Sequence, residues 1–178
     1  LIFAEKSPRF INKEQAFSIV NEAPSLKYVG VFVNHQAQAV AELAHYLTLD
    51  AVQLHGSEDQ NYIDTLKKHL PESCQVWKAI AVELQVPELS VNAQHYVLDG
   101  KKAGSGQPFG WQALAESEQD LSRCFLAGGL NSENINKAIE QLTTQELFGL
   151  DLNSGVEQSP GIKCREKLKQ VFTQIRNY

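Results

Sequence analysis

The chain has 178 residues, 43% of them hydrophobic and 21% charged, with a formal net charge of −5 at pH 7. That length supports one domain with a sizeable core, and the acidic balance excludes a general nucleic-acid binder, whose phosphate contacts require a basic face. There is no apolar run of the ~18 residues that a membrane span needs, and Cys74, Cys124 and Cys164 are scattered without metal spacing, so reduced thiols in a cytoplasmic protein are expected.

In chain order, Leu1–Ala4 reads as a strand that meets Glu5 and Lys6 at once, too short for a signal-peptide core and more like a strand cut from a longer chain. Tyr28–Val33 is the next β-branched run. Ala37, Val40, Ala44 and Leu47 then share one helical face. The strand Ala51–His55 follows, and Ser57 with Gln60 reads as a capping box for a helix whose stripe is Tyr62, Ile63 and Leu66. Gln75–Ile80 is a strand, and Ala81–Ala93, with Pro87, is irregular. Further strands are expected at His95–Asp99, Arg123–Ala127 and Leu147–Asp151. Between and after them lie an N-cap at Asn131 and two apolar stripes, one of Ile135, Ala138, Ile139 and Leu142, the other of Leu168, Val171, Phe172 and Ile175. Seven apolar strands alternating with helices imply a parallel α/β sheet, either a closed barrel or an open doubly wound sheet. A complete barrel has eight strands and typically about 250 residues.

Parallel α/β folds place their chemistry at the C-terminal strand ends. Gln53 and His55 share one face of their strand: either polar groups of a site or a satisfied interior pair. Asp99 ends an apolar strand, where a carboxyl group serves as a general acid or as a turn cap. The small-residue run Gly104-Ser105-Gly106 after it suits a loop that closes over a substrate. Gly128-Gly129 leads from a strand toward a helix, and Asp151 is followed by Ser154-Gly155. Two such loops, after the last two strands, favour a phosphate site built from backbone amides and a helix N-terminus. A small phosphorylated substrate is therefore expected, with neither a nucleic-acid nor a membrane partner.

These residues fall into a known order. The chain carries Lys6-Ser7-Pro8-Arg9, Tyr28 through Asn34, Val52-Gln53-Leu54-His55-Gly56, Trp77-Lys78-Ala79 and Val97-Leu98-Asp99. It continues with Gly104-Ser105-Gly106 with Phe109 and Trp111, Ala127-Gly128-Gly129-Leu130-Asn131, and Asp151 through Glu157 with Pro160-Gly161-Ile162-Lys163. In this order they resemble the phosphoribosylanthranilate isomerases over essentially the whole chain. The stretch Gln53–Lys67 and the ending at Tyr178 look closest to bifunctional bacterial enzymes in which an indole-3-glycerol-phosphate synthase domain precedes the isomerase.

The resemblance implies a (β/α)8 TIM barrel lacking its first strand and helix, residues 1–178 being one N-terminally truncated isomerase domain. It also implies an Amadori rearrangement of N-(5-phosphoribosyl)anthranilate in tryptophan biosynthesis, without metal or cofactor. Asp99 would be the general acid. Arg9 would pair with the anthranilate carboxylate, for which a guanidinium fork is well shaped. Gln53, His55 and Asp151 would bind substrate; Gly128, Gly129, Ser154 and Gly155 would hold phosphate. The family's catalytic base is a cysteine in a Lys-Ile-Cys-Gly-Leu-type motif, which this sequence does not contain. Phe109-Gly110-Trp111 and Cys164 also depart from the usual aspartates. A barrel fragment that binds a sugar phosphate without turnover, or another phosphate-binding barrel, would be the competing readings.

Overall fold

The computed structural model describes residues 1–100 and 111–176. Two compact units are present, the first formed by Leu1–Ala79 with Ser90–His95 and the second by Ile80–Leu89 with the described residues from Tyr96 onward.

The first unit holds helix α1 (Lys13–Glu22), strand β1 (Val29–Phe32), α2 (Ala37–Leu47), β2 (Ala51–Leu54) and α3 (Gln60–Lys67), and strand β3 (Gln75–Val82) begins in it. β1, β2 and β3 pair in parallel, with Val29 opposite Ala51 and Ala51 opposite Gln75. The apolar periodicity predicts what packs: Val40, Ala44 and Leu47 of α2 and Ile63 and Leu66 of α3 are buried with Phe32, Leu54 and Val76. Each of these side chains except the smaller Ala44 contributes on the order of 1.5–3 kcal/mol when fully buried.

Two local readings change, and one helix is added. Leu1–Ala4 lies parallel to β1 but forms only isolated bridges, Ile2 to Val31 and Ile2 to Phe10. A turn in which the Ser7 N–H donates to the Ala4 carbonyl at 2.9 Å ends the ladder after Phe3. The cap of α3 is Asp59, whose carboxylate accepts the Tyr62 N–H at 2.8 Å, not Ser57 with Gln60. Ser57 is instead drawn to Asn34, while the Gln60 amide donates to Asp64 at 2.6 Å. α1 begins with a capping box, Asn12 accepting from the Gln15 N–H and the Gln15 side chain from the Asn12 N–H.

The second unit contains β4 (His95–Gly100) from Tyr96 onward, α4 (Trp111–Ala115), β5 (Cys124–Leu126), α5 (Ile135–Gln141), β6 (Gly149–Leu150) and α6 (Arg165–Ile175). β4, β5 and β6 pair in parallel. An antiparallel hairpin, β7 (Glu157–Ser159) with β8 (Ile162–Lys163), precedes α6. Val171 is buried with Ile135 and Val156, whereas Phe172 is 49% exposed and leaves the expected stripe of α6. The fold is α/β with six parallel strands among the described residues, one fewer than the sequence pattern suggests. Among those residues no helix is long and apolar enough to cross a membrane.

Candidate active site

In the second unit the C-terminal end of β4 lies against the residues after β5, and these lie against the residues after β6. Asp99 is the penultimate residue of β4 and is half-buried. The Ala127 N–H donates to the Leu98 carbonyl at 2.9 Å, which carries the chain after β5 alongside. Gly128 then lies against the acid: a Cβ there would stand 3.1 Å from Asp99 Oδ1 and 2.9 Å from the Gly100 nitrogen. Gly128 and Gly129 both have left-handed backbones, φ +96° and +67°, which L-residues with side chains rarely adopt. The Gly129 carbonyl accepts the side-chain amides of Asn131 (3.3 Å) and Asn134 (3.1 Å).

Asn131 is not the N-cap of α5, which is Asn134. It closes the turn before that helix, its Oδ1 accepting the Glu133 N–H at 2.8 Å while its own N–H donates to Asn134 Oδ1 at 2.9 Å. The side-chain oxygen of an Asn reaches backbone groups two residues on as readily as it caps a helix, so residue type alone does not separate the two roles.

After β6 the Asp151 N–H donates to the Leu126 carbonyl at 2.7 Å. Ser154-Gly155-Val156 is a short 3-10 turn. A Cβ on Gly155 would fall 1.9 Å from the Leu130 carbonyl oxygen, so the two glycine-bearing loops touch backbone to backbone. Lys163 ties this segment down, its Nζ donating to the Asn153 carbonyl (3.0 Å), Asn153 Oδ1 (2.7 Å) and Glu157 Oε1 (3.0 Å).

In the first unit Gln53 is buried on β2, its Nε2 3.5 Å from Nδ1 of the exposed His55 just beyond the strand. Arg9 lies half-buried in the loop before α1, its N–H donating to Ser7 Oγ at 3.1 Å. The same unit holds a buried ion pair, Lys78 Nζ to Glu58 Oε2 at 3.1 Å. Sequence reasoning gave neither residue a role. The signal was a charged residue inside the otherwise apolar run Val76-Trp77-Lys78-Ala79, a placement rarely found without a partner.

Arg9, Gln53 and His55 thus belong to the first unit; Asp99, Asp151, Gly128, Gly129, Ser154 and Gly155 belong to the second. Gly104, Ser105 and Gly106 lie outside the described residues. No cysteine occupies the C-terminal end of a strand of the parallel sheet. Cys74 immediately precedes β3, Cys124 opens β5, and Cys164 directly precedes α6 as its N-cap. Burial, reinforced by Asp50, pushes the Cys74 thiol up to about 11, and burial pushes Cys124 to about 11 as well, so neither is a thiolate near neutral pH.

Residues 1–174 match the family described as N-(5'phosphoribosyl)anthranilate (PRA) isomerase. The tryptophan biosynthesis protein TrpCF of Vibrio cholerae is 48% identical over 183 residues, an alignment that takes in 100% of this chain and 37% of that protein. The chain therefore spans little more than a third of that relative's length. The crystal structure of phosphoribosyl anthranilate isomerase from Thermotoga maritima matches with a TM-score of 0.80 at 30% identity, over 100% of this chain and 87% of that one. A phosphoribosyl anthranilate isomerase solved in complex with reduced 1-(o-carboxyphenylamino)-1-deoxyribulose 5-phosphate matches with a TM-score of 0.75 at 28% identity, over 100% of this chain and 86% of that one. A strand-end carboxylate beside glycine loops, a family match over nearly the whole chain and the solved isomerases agree: the chain belongs to the PRA isomerase family.

Proposed function

We propose that the chain is the isomerase part of a longer protein, converting N-(5-phosphoribosyl)anthranilate to 1-(2-carboxyphenylamino)-1-deoxyribulose 5-phosphate. The observation that carries this reading is the contact of Gly128 with Asp99, together with the seating of Gly155 on Leu130. A carboxyl group next to a loop that approaches without side chains suits an acid working beside a bound sugar phosphate. Asp99 gives its proton to the ribose ring oxygen, the C1–O bond breaks, and a Schiff base forms with the anthranilate nitrogen. A base removes the C2 proton; the electron pair shifts to make the enolamine, which tautomerises to the ketone. Every step is a proton transfer or an internal shift of electrons, so neither metal nor redox cofactor is required. Arg9 takes the anthranilate carboxylate, Gln53, His55 and Asp151 hold the remaining polar groups, and the loops at Gly128-Gly129 and Ser154-Gly155 hold the phosphate. Gly104, Ser105 and Gly106 would close over the substrate.

The base belongs, on this reading, to a βα unit of Lys-Ile-Cys-Gly-Leu type outside this chain, whose strand, with Leu1–Ala4 and the six parallel strands, would complete residues 1–178 as one eight-stranded barrel domain. The positions of the three cysteines and the raised thiols of Cys74 and Cys124 support that assignment. The TrpCF relative, almost three times the matched length, supports a fusion to a further domain; on this reading that domain is an N-terminal indole-3-glycerol-phosphate synthase and the whole is a cytoplasmic biosynthetic protein.

The test is anthranilate-sugar consumption, followed by fluorescence, in the full-length protein. Asp99→Asn should lower kcat by roughly 10²–10⁴-fold with a smaller change in KM, since the amide cannot donate the proton. The chain starting at Leu1 should be nearly inactive, and adding a strand ending in cysteine should restore turnover. An unaffected rate in Asp99→Asn would sink the assignment of the acid; full activity from Leu1 onward would sink that of the base.

A further inference from the structure

Lys78 is 6% exposed and its ammonium has three donors, all of them used. They go to the Leu54 carbonyl (3.3 Å), the Gly56 carbonyl (2.7 Å) and Glu58 Oε2 (3.1 Å). Glu58, also 6% exposed, accepts the Asn34 N–H on one oxygen (2.7 Å) and the Gly56 N–H on the other (2.9 Å). Burial pushes the Glu58 carboxyl up, but backbone N–H bonds from Asn34 and from Glu58 itself, and then Lys78, more than offset it and hold the group below its ordinary value. Both members are hydrogen-bonded on both sides of the pair.

The groups gripped are backbone at the C-terminal ends of β1 and β2. Leu54 and Gly56 flank His55 on either side, and the His55 N–H itself donates to the Phe32 carbonyl at 2.8 Å. Asn34, left-handed at φ 53°, accepts the Ser57 N–H (2.8 Å) and hydroxyl (3.0 Å) on Oδ1. A Cβ on Gly56 would stand 2.3 Å from that same oxygen, so no other residue fits the turn without shifting Asn34. Stability alone does not call for such a pair, because an apolar pair of similar volume commonly serves a core as well or better. An ion pair whose remaining hydrogen bonds all go to the backbone just after β1 and at the end of β2 instead fixes those two strand ends against each other.

We infer that Glu58 and Lys78 are positioning residues for substrate binding: they hold the Leu54–Gly56 backbone so that His55, with Gln53, is presented to the substrate. The inference rests on the proposed contact of His55 and Gln53 with the phosphoribosylanthranilate.

The experiment uses the full-length protein and the paired swap Glu58→Gln/Lys78→Met, which leaves no lone buried charge. The swap should raise KM by about 10-fold or more while kcat stays within about twofold, a misplacement of about 1 Å being costly even when it originates far from the chemistry. His55→Ala should weaken binding in the wild-type background and add little in the swap, because His55 is already misplaced there; a non-additive cycle reports that coupling. Additive effects would overturn the inference and leave the pair as packing only. Should the swap fail to fold, Glu58→Asp decides, since it keeps the charge and shortens the reach. It should raise KM in the same direction and shift the His55 ring resonances in histidine-labelled protein, with those of His45 and His69 unmoved. Unchanged KM and unmoved His55 resonances would overturn the proposal. Were the wild type to turn over no phosphoribosylanthranilate, the functional reading would fall, and the His55 resonances would still decide whether the pair positions that ring.

Discussion

The hydroxyl of Tyr62, on α3, is buried without a hydrogen-bond partner among the described residues. Burial, and next the charge of Glu58, pushes its pKa up to about 12. A buried hydroxyl without a partner costs its desolvation and returns nothing, whereas the ring still packs on the core. Tyr62→Phe should therefore leave stability unchanged or raise it by up to about 1 kcal/mol, read as a higher urea midpoint at constant slope. A loss of that size would show that the hydroxyl has a partner in solution. The contrast with Lys78 and Glu58 shows which residue-scale facts a sequence carries. Asp99, Gln53 and His55 were legible as candidates because each lies at the end of an apolar strand, a position defined by local pattern. Glu58 and Lys78 lie 20 residues apart, and their pairing exists only once β2 and β3 are side by side. Sequence pattern marks a lysine in an apolar run as unusual but does not name its partner.

At the scale of elements, period carries most of the information and short pieces escape it. α2, α3, β1 and β2 follow their apolar repeats: α2 buries Val40, Ala41, Ala44 and Leu47, α3 buries Ile63 and Leu66, β1 buries every second residue and β2 all four. α1 buries only Ala16 fully, so its stripe is faint and the Asn12–Gln15 capping box is its clearer mark. The hairpin of β7 and β8 has strands of three and two residues, too short to show alternation. The two glycine loops were legible from composition, but their mutual contact was not, and it makes a prediction. In Gly155→Ala the new Cβ would meet the Leu130 carbonyl oxygen at 1.9 Å and its carbonyl carbon at 2.7 Å, both backbone atoms that no rotamer change can move. A methyl group added at Gly129 would meet no atom within 4 Å beyond its own chain neighbours, and the cost there is only that of its left-handed backbone. Gly129→Ala should cost roughly 1–2 kcal/mol, and Gly155→Ala should cost more and, with the loops displaced, also weaken the binding of inorganic phosphate. Urea midpoints and phosphate titration check both. Equal stability losses at the two positions would mean that the loops are not packed against each other in solution.

For the molecule as a whole, the α/β class and the family were legible because motif order is a property of the entire chain, while the strand count was not, because Leu1–Ala4 makes only single bridges. The same scale governs the response to acid. With 21 acidic side chains against 16 Lys and Arg, protonation shifts the net charge steadily upward, but only carboxyls whose pKa differs between folded and unfolded states change stability. Glu58 is one of these. Its folded-state pKa lies below the ordinary 4.5, the value it regains on unfolding, because its backbone and Lys78 hydrogen bonds outweigh burial. The unfolded chain therefore takes up the proton first as pH falls. The stabilising contribution is fully present above 4.5 and is lost as pH falls through the lower folded value. Glu58→Gln/Lys78→Met removes that titration. At pH 7 the swap should differ modestly from wild type, since a satisfied buried pair and an uncharged pair are often comparable. Below 4.5 the wild type should lose stability more steeply than the swap, so the difference between them moves in the swap's favour. Urea denaturation at a series of pH values from neutral down to the onset of acid unfolding measures it. Parallel pH profiles would show that Glu58 is not held as a carboxylate by Asn34 and Lys78.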